Sequence, residues 1–187
     1  MATTTETTRL EGTALIAWRS YLQSHAAIVR ELDAELTRDY GITVRDYEVL
    51  LYLAQAEGQQ LPMSQLAERT MLTRSGITRL VDGLVRLGFI ERNACPSDAR
   101  VSYAHLTADG YEKLRAAGRS HVASVGRLFL THFSEAELDT LAQLLGRLPG
   151  ALPDGGCTVA DASGQACSVD AAPACDAGAE PPACSVE

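Results

Sequence analysis

Between Thr73 and Gly88 the apolar residues Ile77, Leu80, Val81, Leu84 and Val85 stand at i, i+3, i+4, i+7 and i+8. Directly afterwards the period changes to alternation in Phe89-Ile-Glu-Arg-Asn93. The first spacing lines one face of an α-helix; the second lines one face of a strand. A second alternating run, Val101-Ser-Tyr-Ala-His-Leu106, lies just across Cys95-Pro-Ser-Asp-Ala-Arg100. The pair predicts a β-hairpin fed by a helix that Thr73 caps and Gly88 ends. On the other side, Pro62 and Ser64 open a short helix from Ser64 to Thr70 with Leu66 and Ala67 facing inward. Two helices joined by so brief a turn form a helix-turn-helix, and the hairpin after it is a wing.

The flanks are helical too. From Leu15 the residues Leu15, Trp18, Leu22, Val29, Leu32 and Leu36 recur at steps of three and four, with His25 in the vacant place. This predicts a long amphipathic helix with a coiled-coil-like seam. After Gly41, Thr43 can cap a helix with Asp46 reaching back, and Tyr47, Leu50, Leu51 and Ala54 form its buried stripe; it should stop near Gly58. Beyond the hairpin, Thr107 caps a long helix carrying Tyr111, Leu114, Val122, Val125, Leu128, Phe129 and Phe133. Ser134-Glu-Ala-Glu137 is a capping box for a last one with Leu138, Leu141, Leu145 and Leu148, ending at Pro149-Gly150. The expected fold class is mainly α with a small β-hairpin wing: a winged helix-turn-helix plus a helical dimerisation region.

The 187 residues carry a formal net charge of −8, unevenly spread. Beyond Gly150 there are six acids (Asp154, Asp161, Asp170, Asp176, Glu180, Glu187) and no Lys or Arg, so residues 1–149 carry only −2. Large apolar side chains almost vanish there, leaving little to repay the entropy of ordering. The expected division is a domain over 1–149 and a disordered, acidic, Cys-containing tail over 150–187. Between Arg69 and Arg100, by contrast, six arginines face three acids, a local +3 where phosphate contacts are to be sought. No stretch is apolar enough to span a bilayer and the N-terminus lacks the order of a signal peptide, so the expected compartment is the cytoplasm.

With the apolar stripe turned to the core, the helix after Thr73 presents Arg74, Ser75, Thr78, Arg79, Asp82 and Arg86 outward. In a major groove, Arg pairs bidentately with guanine and Ser or Thr serve several partners. Thr73 and the free amides beside it can hold a phosphate. Alone, such a face is equally an ordinary solvated one. Arg100, near the hairpin tip after Asp98, adds a side chain suited to a minor groove, with Asp98 orienting it or the loop; the bland alternative is a surface Asp–Arg pair worth little.

These segments resemble the MarR (multiple antibiotic resistance regulator) family over about residues 10–149. The resemblance is carried by Thr43-Val-Arg-Asp-Tyr-Glu-Val-Leu-Leu-Tyr-Leu, Ser64-Gln-Leu-Ala-Glu-Arg, the run from Thr73 to Arg92, and above all Asp98-Ala-Arg100 leading into Leu106-Thr-Ala-Asp-Gly110. It implies a homodimer built by the first, fifth and sixth helices that reads a palindromic double-stranded DNA operator as a transcription regulator, often a repressor. Thr73, Arg74, Ser75, Thr78, Arg79, Asp98 and Arg100 are its expected DNA-binding residues. It also implies release by a small, often aromatic effector, for which Trp18, Tyr21, His25 and Tyr47 are candidate lining residues, although an aromatic at a seam is more often core.

The same residues also fit other functions. The five cysteines are Cys95, Cys157, Cys167, Cys175 and Cys184. Cys95, close to Arg92 and Arg100, is a candidate redox residue; the tail cysteines lack the close pairing that pre-forms a zinc site. Thiol- or metal-responsive regulation, or a winged helix used for protein contacts, are the competing functions. No enzyme is expected: the four His are scattered, and no phosphate loop, nucleophile elbow or carboxylate pair stands out. No cofactor or metal is expected.

Overall fold

The computed structural model describes residues 10–94 and 101–150; all of the predicted disordered tail except Gly150, and Cys95, Asp98 and Arg100, lie outside them. Two compact units emerge, Met1–Val44 and Arg45–Glu187.

In the first unit the seam spacing produces one long helix, α1 (Gly12–Tyr40). It ends where the heptad-like pattern does: Gly41 takes the left-handed conformation at φ 69° and its N–H bonds to the Thr37 carbonyl at 3.0 Å. Asp33 Oδ1 accepts the Val44 N–H at 2.8 Å, so an α1 side chain satisfies the amide that opens the next element. Leu32, Leu36 and Ile42 are buried, whereas Ile16, Trp18, Tyr21, Leu22 and Val29 are exposed, Ile16 by 66%.

From Arg45 on, the second unit holds α2 (Val44–Gln55) except its first residue, then a 3-10 turn, Glu57–Gln59, and a short strand, β1 (Gln60–Pro62). Then come α3 (Met63–Arg69), α4 (Arg74–Arg86), β2 (Ile90–Ala94), β3 (Ser102–Leu106), α5 (Ala108–Leu128) and α6 (Glu135–Leu145). The expected hairpin is part of a three-stranded antiparallel sheet in the order β1-β3-β2. β1 escapes the sequence because three residues show no alternation and Pro62 argues against a strand. It is an edge strand, where Pro62, opposite Tyr103, costs no ladder bond on its open side.

Other boundaries shift for local reasons. Ser64 does not cap α3; the helix starts one residue earlier, with Pro62 at the cap position and no side-chain bond there. α5 ends at Leu128, so Phe129 and Phe133 fall beyond it, around a 3-10 turn at Leu130–His132, with their rings 5.3 Å apart. α6 stops at Leu145, short of Leu148 and Pro149. Three capping expectations are met. Thr73 and Thr107 side chains accept the amides of Gly76 and Gly110, and Ser134 with Glu137 forms the capping box. Accepting from the Ser134 backbone and hydroxyl holds the Glu137 carboxyl below its ordinary pKa.

Leu50, Leu53, Leu66, Ile77, Val81, Leu84, Ile90, Ala104, Leu106 and Leu114 make the core of this unit. On α4 the predicted stripe is narrower than expected: Ile77, Val81 and Leu84 are fully buried, Leu80 is partly so, and Val85 is 37% exposed. At about 100° per residue, Leu80 and Val85 are the two rims of the stripe, which is why they are the least covered.

Candidate DNA-binding surface

The α3–α4 turn is held from inside. Buried Thr70 donates its hydroxyl to the Leu66 carbonyl at 2.7 Å, and the Leu72 N–H bonds to the Ala67 carbonyl at 2.9 Å. Arg45 reaches the Thr70 carbonyl from α2 at 3.5 Å. Met71 takes the left-handed conformation at φ 53° and is 75% exposed. The turn therefore presents the first residues of α4 outward.

There Thr73, Arg74, Ser75, Thr78 and Arg79 line one shallow, open depression. The five residues predicted on this helix are thus brought together. Thr73 Oγ1 takes the Gly76 N–H at 3.2 Å and shares a 3.3 Å hydrogen bond with Ser75 Oγ. Thr78 donates its hydroxyl to the Arg74 carbonyl at 2.8 Å, leaving its lone pairs outward, and Arg79 Nε donates to the Ser75 carbonyl at 3.3 Å. That bond leaves both terminal guanidinium nitrogens of Arg79 as a donor fork. The first-turn amides add a positive helix end to the same spot.

Charge pairing divides the arginines, and those without a carboxylate among the described residues include Arg19, Arg30, Arg119 and Arg147 outside this face as well as its own. Arg38, Arg45, Arg92 and Arg115 each hold a carboxylate, at 2.7 to 2.9 Å. Arg69, Arg74, Arg79 and Arg86, all exposed, hold none among the described residues. Asp82 is outward as expected, and its Oδ1 accepts a hydrogen bond from Arg92 Nη1 at 2.7 Å. The pair links the middle of α4 to β2. Only a tertiary contact ten residues apart brings them together, and no local signal in the sequence announces it.

The root of the wing is fixed as firmly. Thr107 Oγ1 donates to the Gly88 carbonyl at 2.7 Å and the Thr107 N–H to the Phe89 carbonyl at 3.1 Å. A Cβ at Gly110 would collide with that same Phe89 oxygen and lie 2.9 Å from Leu106 Cδ1. Glycine there lets α5 start against the Phe89 backbone, just past the end of α4. β2 and β3 pair from Ile90–Leu106 to Ala94–Ser102. Asp98 and Arg100 lie outside the described residues.

A MarR family profile matches residues 40–101. AbsC, a MarR family transcriptional regulator from Streptomyces coelicolor, is 33% identical, with a TM-score of 0.70 over 74% of this chain and 93% of that one. The chain belongs to the MarR family of transcription regulators. Sco3205, another MarR regulator from Streptomyces coelicolor, solved in complex with DNA, is 31% identical with a TM-score of 0.73, covering 76% of this chain and 89% of that one. The HTH-type transcriptional repressor YetL of Bacillus subtilis is 30% identical over 108 residues, 58% of this chain; the match spans 64% of that repressor.

The candidate effector residues fall in two settings. On α1, Trp18, Tyr21 and His25 form an exposed ladder of rings at 6.3 Å steps. Tyr47 is buried in the second unit with its ring centroid 4.5 Å from that of His121, so it is a core residue there. His121, which sequence reasoning passed over, has a buried Nδ1 without a hydrogen-bond partner among the described residues, and burial lowers its pKa. Among the described residues no cluster of His, Cys, Asp or Glu can hold a metal, and no helix is long and apolar enough to cross a membrane.

Proposed function

We propose that this regulator is a cytoplasmic, non-enzymatic homodimer that binds a palindromic double-stranded DNA operator, with α4 in the major groove and the β2–β3 hairpin in the flanking minor groove. One observation carries the proposal: the outward arginines and hydroxyls at the capped start of α4 converge on a single depression and are left without carboxylate partners. Arg74 and Arg79 supply guanidinium donors to phosphates and guanine edges, Ser75 and Thr78 supply short-range polar contacts, and Thr73 with the first-turn amides holds a phosphate. Arg100, oriented by Asp98, enters the minor groove. Residues up to 149 are the DNA-binding and dimerising domain.

Dimerisation is supported by the apolar side chains left exposed on α1 and after α5, among them Ile16, Trp18, Leu22, Val29, Leu130, Phe133, Leu144 and Leu148. The regulator acts as a repressor and leaves DNA when a small aromatic effector binds by way of the Trp18, Tyr21 and His25 ladder. Selection from a random duplex pool tests this. The expected outcome is an inverted repeat with half-sites about 34 Å, one helical turn, apart. Arg79→Ala should lose preference for the selected site, while Arg100→Ala should weaken binding to all duplexes. Recovery of no repeat, or wild-type binding by both variants, would overturn the assignment.

A further inference from the structure

Gly150, the last described residue, comes alongside the reading head. A methyl group added there would lie 3.4 Å from Met71 Cε, in the α3–α4 turn two residues before Thr73. The chain therefore leaves the described fold beside the start of α4. Residues 151–187 continue from that point, with six carboxylates and no Lys or Arg. The first, Asp154, is four residues past Gly150, an extended reach of about 14 Å. Arg69, Arg74 and Arg79, set around the same turn, lack carboxylate partners among the described residues. A stretch of one charge sign is thus tethered next to a patch of the other.

We infer that residues 151–187 are an intramolecular, DNA-like competitor: their carboxylates dock across Arg69, Arg74 and Arg79 and lower the affinity of α4 for a duplex. The inference rests on the DNA-binding function proposed above and adds regulation to that site. Tethering makes a weak contact sufficient. At an effective concentration of about 1 mM, an ionic contact with a Kd of about 0.1 mM is occupied about tenfold over, weakening duplex binding by about the same factor. The tail and the duplex compete through the same guanidinium groups, and both are screened by salt.

The test compares the full chain with a full-length variant in which Asp154, Asp161, Asp170 and Asp176 are changed to Asn and Glu180 and Glu187 to Gln. Backbone amide NMR signals of residues 69–79 should shift between the two, with those of α5 unmoved. The neutralised chain should bind a random-sequence duplex about tenfold tighter at about 50 mM salt, the gap closing as salt rises. Unshifted α4 signals with tighter binding would mean that overall charge acts without docking, and would overturn the inference. Equal affinities would also overturn it while leaving the DNA-binding function intact. Retention of the duplex by neither chain at low salt would remove that function, and the inference with it.

Discussion

Gly110→Ala puts a methyl group where the root of the wing has no room for it. The new Cβ would meet the Phe89 carbonyl oxygen and crowd Leu106 Cδ1, and the oxygen cannot simply retreat because it accepts the Thr107 N–H at 3.1 Å. Overpacking of this kind costs about 1–3 kcal/mol, and weakening a buried backbone hydrogen bond adds about 1 kcal/mol. Replacing glycine by alanine within a helix returns at most about 1 kcal/mol. The net expectation is a loss of about 2 kcal/mol, or roughly 5–10 °C in Tm. Gly83→Ala is the matched control. Gly83 lies inside α4, where the nearest atom to an added Cβ is the flexible end of Arg86 at 3.8 Å, so alanine there should stabilise by up to about 1 kcal/mol. Thermal unfolding followed by circular dichroism, at one fixed protein concentration for all variants, reads both. If Gly110→Ala melts as high as Gly83→Ala, the close approach of α5 to Phe89 is not what requires the glycine.

Three further expectations rest on particular side chains. Thr107→Ala removes both the cap of α5 and the bond to the Gly88 carbonyl, and should cost about 1–2 kcal/mol in chemical denaturation. Because burial lowers the pKa of His121 below its ordinary 6.5, the folded chain disfavours the charged ring. Its contribution is therefore complete above about pH 6.5 and is lost as pH falls from there toward the depressed value. His121→Phe should flatten the acid limb of the Tm–pH profile, and an unchanged limb would contradict this. Leu22→Glu on the exposed side of α1 should shift the molecular mass in sedimentation from dimer toward monomer while leaving helix content unchanged.

Local chemistry was the legible part. Thr73, Thr107 and Ser134 each sit within three residues of the amide they satisfy, so their spacing reveals the helix starts, and the change of period at Phe89 reveals the wing. The outward face of α4 was legible for the same reason, since one stripe of apolar residues fixes the side opposite to it. The hidden part depends on partners distant in sequence. β1 is a strand only because β3 pairs with it, Asp82 is tied to β2 only because Arg92 reaches it, and Gly110 is required only because Phe89 lies against it. Val85 is exposed because a periodic stripe has rims that sequence spacing does not rank.

The claim on which the rest depends is that the unpaired arginines at the start of α4 face a duplex. It is tested most directly by the affinity of the full chain, Arg74→Ala/Arg79→Ala and Arg119→Ala for the duplex selected from a random pool, across a salt series. Arg119, exposed on α5, serves as the charge-matched control. Each good arginine–base pair is worth about 1–3 kcal/mol, and removing one arginine–phosphate interaction lowers the salt slope by about 1. The double variant should therefore fall at least about tenfold in affinity, with Arg119→Ala close to the parent. Parental affinity and slope in the double variant, or an equal loss in Arg119→Ala, would contradict the account.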